Sequence, residues 1–237
     1  MSTFAASDQI ALRGKQLSTF YGKSQVLFDV SIDVPQKGVV SVLGRNGAGK
    51  TTLLKTLAGE LSPASGEVQL SGRTVTREPT ELRVRAGLGY VPQEHAVFAR
   101  LTVRDNLSVG SLVSPKEGFD RALAIFPKLA GRLDQAAGTL SGGERKMLAI
   151  GRAMLGKPKV LMLDEPTEGV WLGVIEEIAD RLAELAQDIA IVLVEQNLDL
   201  ALRLADRVVV MDRGQIVLKG TSGEVRDDPE LTRLLAP

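Results

Sequence analysis

Apolar residues in this chain follow two rhythms that alternate along its length. Val39-Val40-Ser41-Val42-Leu43, Val160-Leu161-Met162-Leu163 and Ile189-Ala190-Ile191-Val192-Leu193-Val194 are unbroken runs, with the length and β-branched content of strands buried on both faces. Elsewhere the spacing changes to three and four. Residues 52–61 are apolar at 53, 54, 57, 58 and 61, and residues 174–186 at 174, 175, 178, 182 and 185, so each marks one helical face. Glu67-Val68-Gln69-Leu70 before Ser71-Gly72, Leu88-Gly89-Tyr90-Val91, and a hairpin around Asp212-Arg213-Gly214 read as further strands. Residues 10–35 read as short strands broken at Tyr21-Gly22-Lys23-Ser24, and residues 1–8 as a loose polar tail. Between 94 and 155 the β-branched runs disappear and helical periodicity takes over, ending in a helix over 144–155. The pattern predicts one α/β domain over 1–237: a mainly parallel sheet covered on both faces, an N-terminal β region, and a helical subdomain inserted at about 94–155.

Composition narrows the picture mainly by exclusion. Lys+Arg and Asp+Glu balance at 29 each, so no global field draws the chain to nucleic acid or anionic lipid. The absence of cysteine removes disulfides, thiolate-bound zinc and thiol catalysis. The longest apolar runs are strand-sized, far short of a membrane span, and the N-terminus lacks the layout of a secretory signal. If the protein works at a membrane, another chain must hold it there.

Three stretches carry chemistry. Gly44-Arg45-Asn46-Gly47-Ala48-Gly49-Lys50-Thr51 fits G-x-x-x-x-G-K-[ST] between a predicted strand and a predicted helix that continues through Thr52. Glycines let backbone amides curl around phosphate oxygens, and the helix N-terminus adds partial positive charge. Lys50 would reach the β- and γ-phosphates and the Thr51 hydroxyl would ligate Mg²⁺, so a bound nucleoside triphosphate is expected. Asp164-Glu165 ends an apolar strand, where ligands bind in open α/β sheets. Asp164 there can hold Mg²⁺, and Glu165 can orient or deprotonate an attacking water. Leu140-Ser141-Gly142-Gly143-Glu144 precedes the last inserted helix, so Ser141 and the amides of Gly142 and Gly143 make a second anion-binding helix end. One triphosphate does not need two such ends on one face, but two subunits packed head to tail do.

With GRNGAGKT, YVPQ, LSGGE and LMLDEPTEG in this order, the chain resembles the ATP-binding subunits of ABC transporters from about residue 10 to 235. The resemblance implies a P-loop NTPase core, ATP and Mg²⁺, a second ATPase subunit, transmembrane permease subunits and, indirectly, a substrate-binding protein. It implies a place on the cytoplasmic face of a membrane and no nucleic acid. It puts Gln93 at Mg²⁺ and water, linking the site to the membrane partner, and Tyr21 against adenine. The chain is most similar to the second ATPase of branched-chain amino acid importers and their urea and amide relatives, through DEPTEG, the residues Met147-Leu148-Ala149-Ile150-Gly151-Arg152-Ala153, and Val194-Glu195-Gln196-Asn197. As in that subgroup, little chain is expected beyond the Asp212 hairpin. An exporter ATPase stays open as an alternative, and less so a soluble member acting on ribosomes or DNA, for which tandem domains or a long coiled coil are missing.

Two residues depart from the general family pattern. Where most members have a histidine after the strand following the Asp-Glu pair, this chain has Gln196; its only histidine, His95, sits beside Gln93 and is expected at the surface. Glutamine can donate to a γ-phosphate but cannot ionise. Trp171, the only tryptophan, stands in the loop after Pro166-Thr167. That loop is expected to line the seam between two subunits, leaving the ring partly exposed in one subunit alone.

Overall fold

The computed structural model describes residues 9–112 and 118–235; the expected loose tail, residues 1–8, lies outside them. The chain starts with two strands of twelve residues each, β1 (Ile10–Tyr21) and β2 (Ser24–Pro35), paired as one hairpin, not with the short strands that the pattern suggested. The reason is a series of register shifts between them, with Gln16 and Asp29 at positive φ. Each bulge resets the alternation of apolar and polar residues, so one long strand reads as several short ones.

The first apolar run is β3 (Gly38–Gly44), and the phosphate-loop pattern connects it to α1 (Lys50–Ala58). Helix α1 stops three residues before the periodic Leu61, because Gly59 takes a left-handed conformation there. Its C-terminus is closed from a distance. Arg83, 1 % exposed, donates to the carbonyls of Thr56 (2.9 Å) and Leu57 (2.7 Å), and also to those of Thr76 and Glu78. A cation at the negative end of the helix satisfies carbonyls that have no partner within it.

Next come β4 (Ser65–Leu70), β5 (Arg73–Thr74), α2 (Thr80–Arg85) and β6 (Leu88–Val91). The helical region then holds α3 (Val103–Ser111), α4 (Asp120–Ile125), 3-10 segments at Pro127–Arg132 and Ala137–Thr139, and α5 (Gly142–Leu155). The chain returns to the sheet as β7 (Val160–Asp164), α6 (Leu172–Ala186), β8 (Ala190–Val194), α7 (Leu198–Leu204), β9 (Arg207–Asp212) and β10 (Gln215–Thr221), and finishes with α8 (Ser222–Arg226) and α9 (Pro229–Leu235).

Two sheets result. β2-β1-β4-β5 is antiparallel, and β10-β9-β3-β8-β7-β6 is parallel except for β10 at its edge. The unbroken apolar runs are explained by where their side chains go. Val40, Val42, Val160 and Met162 face α1 and the antiparallel sheet, in one core with Leu53, Leu57, Leu12 and Ile32. Their neighbours Val39, Leu161 and Leu163 face the other way, into a core with Phe126, Leu148, Ile150 and Ile178. Both faces of these strands are buried, so no polar alternation remains in the sequence. α1 is held between the two sheets, and this fixes the phosphate loop at the carboxyl edge of β3.

Candidate nucleotide site

The loop from Gly44 to Gly49 leaves β3 and enters α1 through a strained turn. Gly49 precedes the helix at φ 102°, and a Cβ on Gly44 would lie 2.4 Å from the carbonyl oxygen of Met211. Neither place admits a side chain without cost. Among the described residues no side chain caps α1, and its first turn has no acidic residue, so its leading amides are left for an external anion. The Lys50 ammonium lies across the loop, donating to the carbonyls of Gly44 (2.8 Å) and Arg45 (3.1 Å). Burial pulls its pKa down, opposed by the nearby charges of Glu165 and Asp164. Thr51 and Thr52 follow in the first helical turn, Thr52 buried.

Asp164 ends β7 and is 1 % exposed, and both of its carboxylate oxygens lack a hydrogen-bond partner among the described residues. Burial pushes its pKa up; the Thr51 hydroxyl faces it and opposes that shift, outside hydrogen-bond geometry. Two orphaned carboxylate oxygens opposite a threonine hydroxyl are hard oxygen donors, the kind of set that Mg²⁺ takes. The residues therefore fit the expected ion.

Glu165 is held from several sides. Its backbone has φ 49°, left-handed for a residue that carries a side chain, and its amide donates to the Val194 carbonyl (2.9 Å). One carboxylate oxygen accepts from the Gln93 side chain and the other from the Gln196 side chain, both at 2.8 Å. The Gln196 amide also reaches the Asn46 side chain (3.1 Å), tying β8 to the phosphate loop. The Gln93 amide is shared with Glu168 (2.8 Å). The structure thus brings residues 44–52, Gln93, Asp164, Glu165 and Gln196 to one edge of the sheet.

The second predicted anion site stands apart. Ser141, Gly142 and Gly143 begin α5 and make no hydrogen bond to the phosphate loop among the described residues. The Ser141 hydroxyl accepts from the Glu144 amide (3.2 Å) and the Glu144 carboxylate accepts from the Ser141 amide (2.9 Å). Gly143 has no room for a side chain, since a Cβ there would lie 2.5 Å from Val174 at the start of α6. Trp171 precedes α6 and is 78 % exposed, with Leu172 beside it at 64 %. The indole therefore fills no gap in its own core. Tyr21 is exposed at the end of β1, accessible for stacking, and His95 is exposed at the surface as expected.

Three contributors escape the motif reading. Glu195, buried at the end of β8, accepts from the amide (3.1 Å) and hydroxyl (2.7 Å) of Thr167, clamping the loop that follows Glu165. Burial pushes its pKa up, opposed by those Thr167 bonds. Lys146 on α5 donates to the backbone carbonyls of Glu165 (2.9 Å) and Gln93 (3.2 Å). Glu168 is the other carboxylate on Gln93. Glu195 had a visible signal, an acidic residue closing an apolar run, and Glu168 stood inside DEPTEG without a role assigned to it, but Lys146 had none.

The similarities to known proteins agree with this geometry. The family model described as ABC transporter matches residues 27–168. The high-affinity branched-chain amino acid transport ATP-binding protein BraG of Pseudomonas aeruginosa is 42 % identical over 221 residues, 91 % of this chain and 95 % of its own length. The protein named "Probable branched-chain amino acid transport ATP-binding protein LivF" of Archaeoglobus fulgidus is 39 % identical over 229 residues, 94 % of this chain and 97 % of its own. Among solved structures, a nucleotide-free ATP-binding cassette from an ABC transporter superposes with a TM-score of 0.85 at 28 % identity, over 96 % of this chain and 99 % of that one.

Proposed function

Because the chain belongs to the ABC transporter family, we propose that it is the ATPase of an importer for branched-chain amino acids or related small amides and urea, driving a separate permease by ATP-dependent closure of two subunits. The observation that carries the hydrolytic part is the Glu165 carboxylate, held between the Gln93 and Gln196 amides at 2.8 Å each. In this reading Lys50 leaves the loop carbonyls for the β- and γ-phosphates, and the leading amides of α1 bind their oxygens. Bound Mg²⁺, held through Asp164, Thr51 and Gln93, would screen the phosphate charge. Glu165 accepts the proton of the attacking water, and Gln196 orients the γ-phosphate side of the site. Ser141, Gly142 and Gly143 serve the ATP of the second subunit, and Tyr21 stacks on adenine.

The importer class is supported by the relatives named for branched-chain amino acid transport. Among the described residues no helix is long and apolar enough to cross a membrane, and in this reading the passage belongs to the permease. A surface groove lined by Val84, Tyr90, Phe98, Val109 and Arg152 suits a docked permease segment. Exposed Trp171 and Leu172 suit the seam with the second ATPase.

The test is Glu165→Gln, in which the amide keeps the shape but cannot take a proton. ATP turnover should fall about 10²–10⁴-fold with ATP binding intact, and cells carrying the variant should lose uptake of leucine, isoleucine and valine or of urea and short amides. Wild-type turnover would remove Glu165 from the mechanism. Intact uptake with loss of efflux would make the system an exporter.

A further inference from the structure

We infer that Lys146 is a positioning residue for hydrolysis, transmitting the placement of α5 to the Glu165 carboxylate and to the Gln93 loop. This rests on the reading of Glu165 as the base. Lys146 lies one turn into α5, the helix whose first residues are the capped Ser141-Gly142 end. From there its half-buried ammonium crosses to two strand-end loops of the sheet, donating to the Glu165 carbonyl at 2.9 Å and the Gln93 carbonyl at 3.2 Å. One cation thus fastens together the backbones that carry the base and one of its two amide donors.

The need for such a fastening is visible in the backbone. Glu165 has φ 49°, a conformation that persists in a residue with a side chain only where its surroundings over-determine it. The Glu165 amide is fixed by Val194, and Glu195 fixes Thr167 two residues on. On the carbonyl between them, Lys146 adds the shorter of two restraints, at 2.9 Å against 3.3 Å for the Glu168 amide. It is the only one of these restraints that comes from the helical region. The charge is kept in place by the acidic groups around it, Glu168, Glu195, Glu165 and Asp164, which oppose the effect of burial on the ammonium.

The helix that would meet the second subunit's ATP is therefore also the helix that sets the base. A shift of α5 as two subunits close would move the Glu165 carbonyl through Lys146, and the carboxylate with it. The Lys146 ammonium is engaged by the carbonyls of Glu165 and Gln93, outside the phosphate loop, so in this inference it acts on turnover and not on binding.

The experiment compares Lys146→Met, which keeps the length and removes the donor, with Lys146→Arg, which keeps charge and donors, alongside Glu165→Gln. Steady-state kcat and KM for ATP, direct ATP binding and thermal unfolding are measured on each purified protein. Lys146→Met should lose kcat about 10- to 100-fold, the effect of a small displacement of a reacting group, with KM, binding and Tm close to wild type. Lys146→Arg should recover most of the loss. The inference is overturned if Lys146→Met keeps wild-type kcat while Glu165→Gln is inactive. It is also overturned if kcat falls only in step with Tm and ATP affinity, in the Arg variant as in the Met variant, because Lys146 would then only hold the fold. Wild-type turnover in Glu165→Gln removes the base assignment itself and so fails in a separate arm.

Discussion

Helices α1 and α5 begin with the same raw material, glycine amides at a positive helix end, but α1 is left open and α5 is closed on itself. At α1 no side chain caps the helix, no carboxylate stands in its first turn, and the neighbouring Asp164 has both oxygens unpaired among the described residues. At α5 the Ser141–Glu144 box satisfies two amides, and the Glu144 carboxylate already occupies the positive end. An anion arriving at α1 meets amides that no side chain caps among the described residues, whereas one arriving at α5 must share the helix end with a carboxylate. The difference suits one end to hold a triphosphate in a single subunit. In the proposed reading the other end contributes only when a second subunit delivers its own nucleotide.

The sharpest test acts on both ends at once. Ser141→Ala should lower ATP turnover by about 10²–10³-fold, as for a lost donor to developing charge, and leave ATP binding by the single subunit unchanged. Lys50→Ala should instead weaken that binding by about 10- to 100-fold, from the loss of charge-assisted hydrogen bonds. Binding isotherms on the isolated subunit, paired with turnover assays, separate the two. A loss of single-subunit binding in Ser141→Ala would erase the contrast between the ends.

Smaller in size is the effect of opening the closed end. Glu144→Ala should cost about 0.5–2 kcal/mol of stability, as other cap removals do, while keeping the Ser141 hydroxyl for an anion and therefore most of the turnover. Hydrogen bonds from Ser141 hold the Glu144 carboxyl below the ordinary range in the folded chain. Its contribution is thus present above the unfolded value of about 4.3 and lost as pH falls through the lower folded value. Urea melts at neutral and acid pH should show wild type and Glu144→Ala converging in acid. A gap that persists unchanged there would show that the carboxylate contributes nothing through its charge.

The smallest effect has the opposite sign. Burial raises the Asp164 pKa in the folded chain, so its favourable contribution is present below the unfolded value of about 3.9 and is lost as pH rises through the folded value. Asp164→Asn lacks that loss. Without nucleotide or Mg²⁺ it should be more stable than wild type at neutral pH by about 1 kcal/mol, or about 2–4 °C in Tm. Thermal melts across this pH range measure it, and an equal or lower Tm would mean that the open end is not held at a cost.

Much of the site could be read directly from the chain because its chemistry is local. Gly44 to Thr51 must turn sharply between strand and helix, and the glycine pattern records that. Ser141 and Glu144 are three residues apart, the separation at which two side chains close a helix end reciprocally. Asp164 and Glu165 are visible because two carboxylates follow an apolar run. The N-terminal hairpin was harder to read because its bulges disturb the alternation on which strand reading depends.

The sequence by itself determined the buried strands β3, β7 and β8, the phosphate loop with its helix, the acidic strand end and the capped helix, since each is set by residues that touch within a few positions. Only the tertiary structure decided the rest. It placed Gln196 against Asn46, 150 residues away, and Lys146 on carbonyls contributed by two different loops. It sent Arg83 to the far end of α1 and left Trp171 exposed. The physical reason is that these partners are backbone carbonyls or distant side chains. A carbonyl is the same in every residue, so no letter in the sequence marks which one a lysine or an arginine will meet; chain topology alone brings them within hydrogen-bond reach.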